Sequence, residues 1–401
     1  NITNLKVGGA QGTDGQLLTS TGSGVAWEDA PASGPTFKAF GTSSIMVGDS
    51  TTGTINAADY NTGLGIDVFA NLTSGDQNTV LGFEAGNALT VHNQNTLIGY
   101  QAGKLLGGSS ESWEAQRNVF IGYGAGLNVD EGQRAIAIGY YAMMSSLGTT
   151  THDIAIGYQA MQYRQSNTGD SIAIGYNAHR GDINQGYQNA NRNVAVGTNT
   201  LSIIETGGMQ NTAIGWYAGQ NATTGPYNTL IGSEAGQAVS TGQKNTLIGH
   251  QAGELITSGS SNVVLGGYDG NEGGLDIRTV SNRVVISDGA GNIRMYIDNG
   301  GNVGIGLTNP TKSLSVKAPS GSNGGIDVFH SNGNKVAELV HHGSGDEGRL
   351  SLYDGGANTI QLHGETGQNS YINSGNVGIG YASPGQKLQI AEATNYAPPG
   401  L

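Results

Sequence analysis

The stretch Asn228-Thr-Leu-Ile-Gly232-Ser-Glu-Ala235-Gly236 is followed 17 residues later by Asn245-Thr-Leu-Ile-Gly249-His-Gln-Ala252-Gly253. Strict or loosened copies of this pattern occur twelve times, each with an aliphatic residue directly before its first glycine. We call these first glycines the repeat glycines: Gly65, Gly82, Gly99, Gly122, Gly139, Gly157, Gly175, Gly197, Gly215, Gly232, Gly249 and Gly266. Nine of the eleven steps between them are 17 or 18 residues long. Such a fixed period is typical of a solenoid, in which equivalent coils of one chain stack on each other.

Each repeat contains a short strand that is apolar on both faces. The residue before the repeat glycine is Leu, Ile or Val, and the residue two positions earlier is Thr, Val or Ile. Because side chains alternate along a strand, these two residues share a face, and β-branched residues favour a strand over a helix. The residue between them, such as Ala213 or Leu230, points the other way and is also apolar. A coil has only one inside, so we expect the second apolar face to pack against another copy of the chain.

The residues around the strand indicate tight corners. Alanine stands three positions after the repeat glycine in nine of the twelve copies, and glycine often follows, as at Gly236 and Gly253. Small residues at fixed spacing mark places where backbone passes close to backbone. The recurring Asn at the start of each copy suits either a turn or a stacked ladder of amides. The extra residues in two longer steps, within 104–116 and 180–191, are either binding loops or tolerated bulges.

The array lies between segments with different patterns. Residues 1–35 read as a short fibre segment with a linker, residues 36–275 as the repeat solenoid, and residues 276–401 as a β-rich region. Short strands joined by Asn-Gly and Asp-Gly turns are predicted in the last region. These turns fall at 298–301, 331–333 and 353–356. A second repeat occurs there, in which the motif that ends at Gly306 returns as Gly-Asn-Val-Gly-Ile-Gly380. Gly306 and Gly380 therefore join the repeat glycines as predicted tight-turn positions.

Composition excludes several classes of protein. The chain has 69 glycines in 401 residues, and 17 basic against 30 acidic residues give a net charge of −13. An acidic surface does not favour nucleic acid, so no nucleic-acid partner is expected. The absence of cysteine excludes disulfides, thiolate metal sites and a cysteine nucleophile. No apolar run approaches the roughly 18 residues of a membrane-spanning helix, so no membrane insertion is expected.

The search for catalytic or metal-binding patterns predicts none. No histidine lies in an H-E-x-x-H motif, and the adjacent His341 and His342 would face opposite sides of a strand. Residues 266–274 carry oxygen ligands for a weak Ca²⁺ site, although an acidic capping turn is the simpler interpretation. A glycosidase needs two carboxylates roughly 5–10 Å apart, and no acid recurs at two nearby columns of the array. We therefore expect no enzyme activity, no catalytic residue, no cofactor and no bound metal.

An aromatic residue often follows the repeat glycine. These residues, with the histidine of the same column, are Phe83, Tyr100, Tyr123, Tyr140, Tyr158, Tyr176, Trp216 and His250. A stacked column of rings suits either a packing ladder along or between subunits, or contact with the rings of sugars. The candidate receptor contacts are Tyr100, Tyr123, Tyr140, Tyr158, Tyr176 and Trp216, together with Trp113 in the first longer step.

The N-T-x-I-G-x-x-A-G array, followed by G-N-V-G-I-G-x-x-x-P-x-x-x-L, resembles the shafts of tailed-bacteriophage tail fibres. In that family the second motif commonly precedes an intramolecular chaperone that is cleaved off after trimerisation. The array is also similar to the heads of trimeric autotransporter adhesins, although their coils are shorter, at about 14–15 residues. The resemblance covers nearly the whole chain, and its motifs are specific for architecture rather than for a receptor.

The resemblance implies an all-β homotrimeric β-solenoid of about twelve 17- or 18-residue coils, followed by short β-strand fibre repeats. It further implies a rigid rod in the virion that attaches the phage to its host. Its expected partners are two further copies of itself, the baseplate or other tail proteins, and a host-surface glycan or protein. The alternatives are a tailspike that depolymerises polysaccharide, which would release sugar, and a bacterial trimeric surface adhesin.

Overall fold

The computed structural model of the chain is all-β and divides into two compact units. The first unit contains Asn1–Gly270 and Asp276–Ser281, and the second contains Asn271–Leu275 and Asn282–Leu401. The structure describes residues 6–7, 10–11, 16–20, 25–29, 36–48, 57–108, 115–145, 150–163, 169–181, 190–205, 207–317, 324–342, 347–364, 368–372, 377–379, 385 and 388–390. Trp113 and Gly380 lie outside these residues.

The strands are numbered in chain order. The first twenty are β1 Lys6–Val7, β2 Ala10–Gln11, β3 Gln16–Ser20, β4 Val25–Asp29, β5 Thr36–Phe40, β6 Ser44–Gly48, β7 Thr62–Gly65, β8 Thr79–Leu81, β9 Thr96–Ile98, β10 Val119–Ile121, β11 Gly132–Gln133, β12 Ile136–Ile138, β13 Thr150–Thr151, β14 Ile154–Ile156, β15 Ile172–Ile174, β16 Val194–Val196, β17 Thr212–Ile214, β18 Thr229–Ile231, β19 Thr246–Ile248 and β20 Val263–Leu265. The others are β21 Asn271–Glu272, β22 Leu275–Asp276, β23 Val284–Ser287, β24 Ile293–Ile297, β25 Val303–Ile305, β26 Leu314–Val316, β27 Gly325–Phe329, β28 Lys335–His342, β29 Glu347–Asp354, β30 Ala357–His363, β31 Tyr371–Ile372, β32 Val377–Ile379 and β33 Leu388–Ile390.

The repeats form a single parallel ladder in which each coil contributes one strand. From β6 to β20, omitting β11 and β13, every strand pairs in register with the equivalent strand of the next coil. In β18 and β19, for example, Leu230 lies opposite Leu247. At about 4.8 Å between strands, the ladder is on the order of 60 Å long. The predicted β-solenoid of about twelve coils is confirmed.

The interior of the solenoid is filled by columns of equivalent residues. The central residue of each repeat strand is buried, and so are the nine alanines that stand three positions after a repeat glycine. A third column lies seven positions after the repeat glycine and is also fully buried. Its members are Leu72, Leu89, Leu106, Val129, Ile204, Ala222, Val239 and Ile256. The central strand residues therefore face the inside of the coil, and the two residues beside them face outward.

Two interior positions compensate each other in size. One is the strand centre, and the other, here the corner residue, lies four positions after the repeat glycine. A large strand centre accompanies a corner glycine in Val80/Gly86, Leu97/Gly103, Phe120/Gly126, Leu230/Gly236 and Leu247/Gly253. A small strand centre accompanies a large buried corner residue in Gly63/Phe69, Ala137/Met143, Ala155/Met161, Ala173/His179 and Ala195/Leu201. In each of these coils the two side chains together therefore occupy a similar volume, as the close packing of protein interiors requires.

One coil departs from this exchange, because Ala213 and Gly219 are both small. The space beside Gly219 is occupied by leucines of the neighbouring coils. A methyl group placed on Gly219 would lie 2.6 Å from Leu230 Cδ1 and 2.9 Å from Leu201 Cδ2. The packing constraint therefore extends between coils as well as within them.

The repeat glycines are required because successive coils touch there through their backbones. Gly157 has a φ of +135°, a conformation that L residues rarely adopt. A Cβ atom on Gly157 would lie 2.4 Å from the carbonyl oxygen of Gly175 in the next coil. Neither atom can move without displacing a paired strand, so any side chain at this corner is excluded.

We expect Gly157→Ala to destabilise the solenoid by at least about 3 kcal/mol, because strain at φ and the backbone contact act together. Urea unfolding followed by circular dichroism measures this change. The matched control is Gly289→Ala, where an added methyl meets no described atom within 4 Å. An unfolding midpoint of Gly157→Ala equal to that of the control would contradict the explanation.

The recurring asparagines form a buried amide ladder, one of the two predicted arrangements. Where the previous coil has a polar side chain at this position, the backbone N–H donates to it, as from Asn245 N to Asn228 Oδ1 at 3.0 Å, and Ala135 interrupts the ladder. Asn245 Nδ2 also donates to Gly259 O at 2.9 Å, which ties the side chain to its own coil. Asp153 continues the ladder by accepting from Ser171 N at 2.9 Å. Most buried polar groups of the ladder are thus satisfied by contacts that repeat from coil to coil, and Asn211 Nδ2 is an exception.

In the second unit, the two Gly-Asn-Val-Gly-Ile-Gly motifs have the same local structure. Strand β25 of the first motif pairs in parallel with β26, and β32 of the second pairs in parallel with β33. Both pairs match residues eleven positions apart, as in Val303 with Leu314 and Val377 with Leu388. Strands β23 to β25 pair antiparallel, and so do β27 to β31. The three predicted Asn-Gly and Asp-Gly turns connect neighbouring antiparallel strands of these sheets.

Candidate functional site

The first candidate surface is a stripe of outward-facing aliphatic residues on the solenoid, here called the apolar seam. It consists of the residue before each repeat glycine: Leu64, Leu81, Ile98, Ile121, Ile138, Ile156, Ile174, Val196, Ile214, Ile231, Ile248 and Leu265. Six of them expose between 37% and 49% of their surface. A second outward column of Thr, Val and Ile lies beside it, at the start of each strand. A continuous apolar stripe of this length exceeds the scattered apolar residues of ordinary protein surfaces.

The second candidate surface is the aromatic column beside the apolar seam. Phe83, Tyr100, Tyr123, Tyr140, Tyr158 and Tyr176 stack in consecutive coils. Their ring centroids are 4.7 to 5.4 Å apart and their planes are within 17° of parallel. The spacing follows from the distance between parallel strands. The four inner rings therefore cover each other's faces and present their edges to the outside.

Trp216 belongs to the same column but not to the stack. The equivalent residues of the coils before and after it are Thr198 and Ser233, which carry no ring. Its ring partner is Tyr217, whose centroid lies 4.1 Å away at an interplanar angle of 59°. The sequence prediction of one column through the whole array therefore separates into a six-ring stack and an isolated indole.

The acids that the sequence places in array columns are engaged in structural contacts. Glu84 accepts from Lys104 Nζ at 2.7 Å and Gln101 Nε2 at 2.6 Å, and these hydrogen bonds lower its pKa. Glu234 accepts from Gln251 Nε2 at 3.0 Å. Asp153 lies in the amide ladder. These contacts run between neighbouring coils, so the carboxylates contribute to stacking.

A third candidate surface lies in the second unit and was not identified from the sequence. One face of the five-stranded sheet β27 to β31 is apolar and open to solvent; we call it the sheet face. Its members are Ile326, Val328, Ala337, Leu339, Leu350, Leu352, Ile360, Leu362 and Ile372. Leu339 exposes 55% of its surface. The alternation Leu350-Ser351-Leu352-Tyr353 is the sequence signal that indicates it.

The opposite face of this sheet is polar and carries a buried carboxylate. Glu338 is 4% exposed and accepts hydrogen bonds from Lys335 Nζ at 2.8 Å and Arg349 Nη2 at 2.7 Å. Lys335 also contacts Asp327 at 2.9 Å. Burial alone would raise the pKa of Glu338, but hydrogen bonds from Lys335, Tyr353 and Arg349 outweigh it and lower the pKa to about 2. The charged groups of the polar face thus pair with each other, whereas the apolar face is exposed to solvent.

The pKa of Glu338 predicts that this sheet weakens in acid. Its folded pKa lies below the ordinary value of 4.5, so its contribution is present above that pH. It is lost as pH falls from 4.5 towards 2, on the order of 3 kcal/mol in total. Hydrogen exchange of the β28 and β29 amides between these pH values measures the loss. In Glu338→Gln the loss should be smaller, and an unchanged pH dependence in that variant would contradict the assignment.

Metal-binding clusters and carboxylate-lined clefts were sought among the described residues. Within them, no group of three or more His, Asp or Glu side chains is placed to hold a metal ion. A cleft of about 700 Å³ in the second unit has Glu272 as the single carboxylate of its lining. Across the same part of the chain, no helix has the length and apolar character needed to cross a membrane.

The residues predicted from the sequence as receptor contacts do not all lie together. The structure brings Tyr100, Tyr123, Tyr140, Tyr158 and Tyr176 together in the stack and leaves Trp216 apart from it. Trp113 lies outside the described residues, and receptor contact through any of these side chains stays a prediction. No protein-family model matches the chain, and comparison with curated proteins and with solved structures finds no similar protein.

Proposed function

We propose that the chain is a homotrimeric, non-enzymatic tail-fibre segment of a tailed phage that attaches the virion to its host. The observation that supports this proposal is the apolar seam, which one copy of the chain leaves open along the whole solenoid. Three copies packed around a common axis would remove it from water. The stacked coils would then serve as a rigid element, and the baseplate or other tail proteins would hold it in the virion.

The sheet face supports assembly independently of the seam. An antiparallel sheet normally buries its apolar face and leaves its polar face in water. Here Leu339 and Leu362 are exposed while Glu338 and Ser351 on the other face are buried. Strands β27 to β31 therefore have the pattern of one side of a subunit interface, in which the apolar faces of several copies form the core.

The attachment role rests on multivalency. Three copies of one weak surface site bind a host glycan or protein much more tightly than one copy does, provided that the geometry allows simultaneous contact. A non-enzymatic role agrees with the acids of the array, because Glu84, Asp153 and Glu234 are used between coils.

Sedimentation equilibrium of the wild-type chain tests the assembly on which this function depends. We expect a mass three times that of the 41.0 kDa chain. Antibodies raised against the purified chain should label the tail region of the phage that encodes it in electron micrographs. A folded protein that sediments at the mass of one chain would refute the proposed assembly.

A further inference from the structure

Trp216 is the one residue of the aromatic column, among those the structure describes, that combines a large exposed ring with a position outside the stack. It exposes 51% of its surface. Backbone hydrogen bonds connect the Trp216 coil to its two neighbours at this position. Tyr217 N donates to Thr198 O at 3.0 Å, and Glu234 N donates to Trp216 O at 2.8 Å. The side chains above and below the indole in the column are therefore the short ones of Thr198 and Ser233.

The six-ring stack makes a contrasting environment in the same column. Tyr100, Tyr123, Tyr140 and Tyr158 each have one ring about 5 Å away on either side. A flat ligand cannot reach the faces of these rings without separating the coils. In this column, a broad aromatic face that a ligand could cover is therefore found at Trp216.

Tyr217 gives the indole a fixed orientation and a second wall. Its ring is tilted by 59° against the indole at a centroid distance of 4.1 Å. Tyr217 itself is half-buried, with a φ of +58° set by the solenoid corner. The two rings are in contact, and we call this aromatic pair the Trp216–Tyr217 notch; the coils on either side carry the hydroxyl-bearing residues Thr198 and Ser233 at the column position. One apolar face with hydroxyl groups at its margin is complementary to a pyranose ring, which has C–H groups on its face and hydroxyls at its edge.

The negative charge of the chain disfavours anionic sugars. Glu234 lies in the next coil, and Glu254 is close enough to it that their mutual repulsion contributes, after burial, to a raised pKa of Glu254. The chain as a whole carries a net charge of −13. A carboxylated or sulfated saccharide would be repelled by this surface.

We propose that the Trp216–Tyr217 notch is a binding site for a neutral glycan, with a hexopyranose ring stacked on the indole. This inference rests on the attachment function proposed above and names its ligand class. Each chain supplies one notch, so an assembly of three supplies three, and a weak single site gains strength on a surface that carries many glycans.

The test uses the full chain on an array of immobilised neutral and sialylated oligosaccharides, followed by titration with the bound neutral oligosaccharide. We expect binding to neutral members, an affinity at least about tenfold weaker in Trp216→Ala, and retention of binding in Trp216→Tyr. The matched control is Tyr227→Ala, which removes an exposed ring outside the aromatic column and should leave affinity unchanged. Failure of the wild type to bind any neutral member, or equal affinity in Trp216→Ala, would overturn the site.

Sedimentation of the same variants separates this inference from the proposed function. Loss of trimers in Trp216→Ala would place the indole in a subunit interface and would overturn the glycan site while supporting assembly. A wild-type chain that is a folded monomer but binds neutral glycans through Trp216 would refute the trimer and leave the site standing.

Discussion

Replacement of Phe120 by Ala together with Gly126 by Met is expected to leave the solenoid folded, although each change alone is strongly destabilising. The Phe120 ring fills the space next to the corner at Gly126, where a Cβ atom would lie 2.4 Å from Phe120 Cδ2. Phe120→Ala alone empties this space and should cost about 3–5 kcal/mol. Gly126→Met alone would force two large side chains into one site, which costs at least about 1–3 kcal/mol.

The combined variant reproduces a pair that the chain already contains. Ala137 and Met143 occupy the same two positions in the next coil, and Met143 adopts a φ of +54° there. We therefore expect the double variant to unfold within about 1.5 kcal/mol of the wild type. The double-mutant cycle should give a coupling energy of roughly 3 kcal/mol or more in favour of the pair.

A mismatched pair provides the control for this cycle. Gly236 is also a corner glycine, but it lies beside Leu230, six coils further along the chain. Phe120→Ala with Gly236→Met should therefore show additive destabilisation without rescue, since the two sites share no contact. Urea unfolding of the three single and two double variants, followed by circular dichroism, measures all these free energies. Additive behaviour of the matched pair would show that the size exchange is coincidental.

This exchange illustrates what the sequence could and could not predict. The period of 17 or 18 residues identified the coils because strand and corner residues recur whatever their size. It did not reveal which apolar face points inward, because Leu230 and Ile231 are equally suited to a core by residue type. Only the coil geometry resolves this, by placing Leu230 inside and Ile231 outside. The pairing of Leu230 with Gly236 follows from that orientation.

The sheet face was harder to identify because its alternation is interrupted. A register shift occurs between Val328 and Phe329 on β27, and another between Leu352 and Tyr353 on β29. Each shift ends a run of alternating residues after only a few positions, so no long period-two pattern stands out. The break at Trp216, in contrast, was readable from the sequence, because Thr198 and Ser233 occupy the column positions on either side.

Charges placed in the apolar seam are expected to dissociate the assembly into folded single chains. Ile214 and Ile248 expose 40% and 37% of their surface in the isolated chain, so Asp at both positions should have a modest effect on the fold of one copy. In a trimer the same residues would be removed from water, and two unpaired carboxylates per chain would be buried. Burial of an unpaired charge costs several kcal/mol, which is large compared with the stability of an interface.

The expected result is a fall in sedimentation mass from three times 41.0 kDa to that of one chain, with the circular dichroism spectrum retained. The control variant carries Asn221→Asp and Thr241→Asp, which add the same charge at exposed positions outside the seam. It should remain trimeric, so that net charge is excluded as the cause of dissociation. If the Ile214 and Ile248 variant stays trimeric as well, the seam is not the interface, and the sheet face must hold the copies together. Asp at Leu339 and Leu362 would then dissociate the trimer, because both residues are exposed on the sheet face.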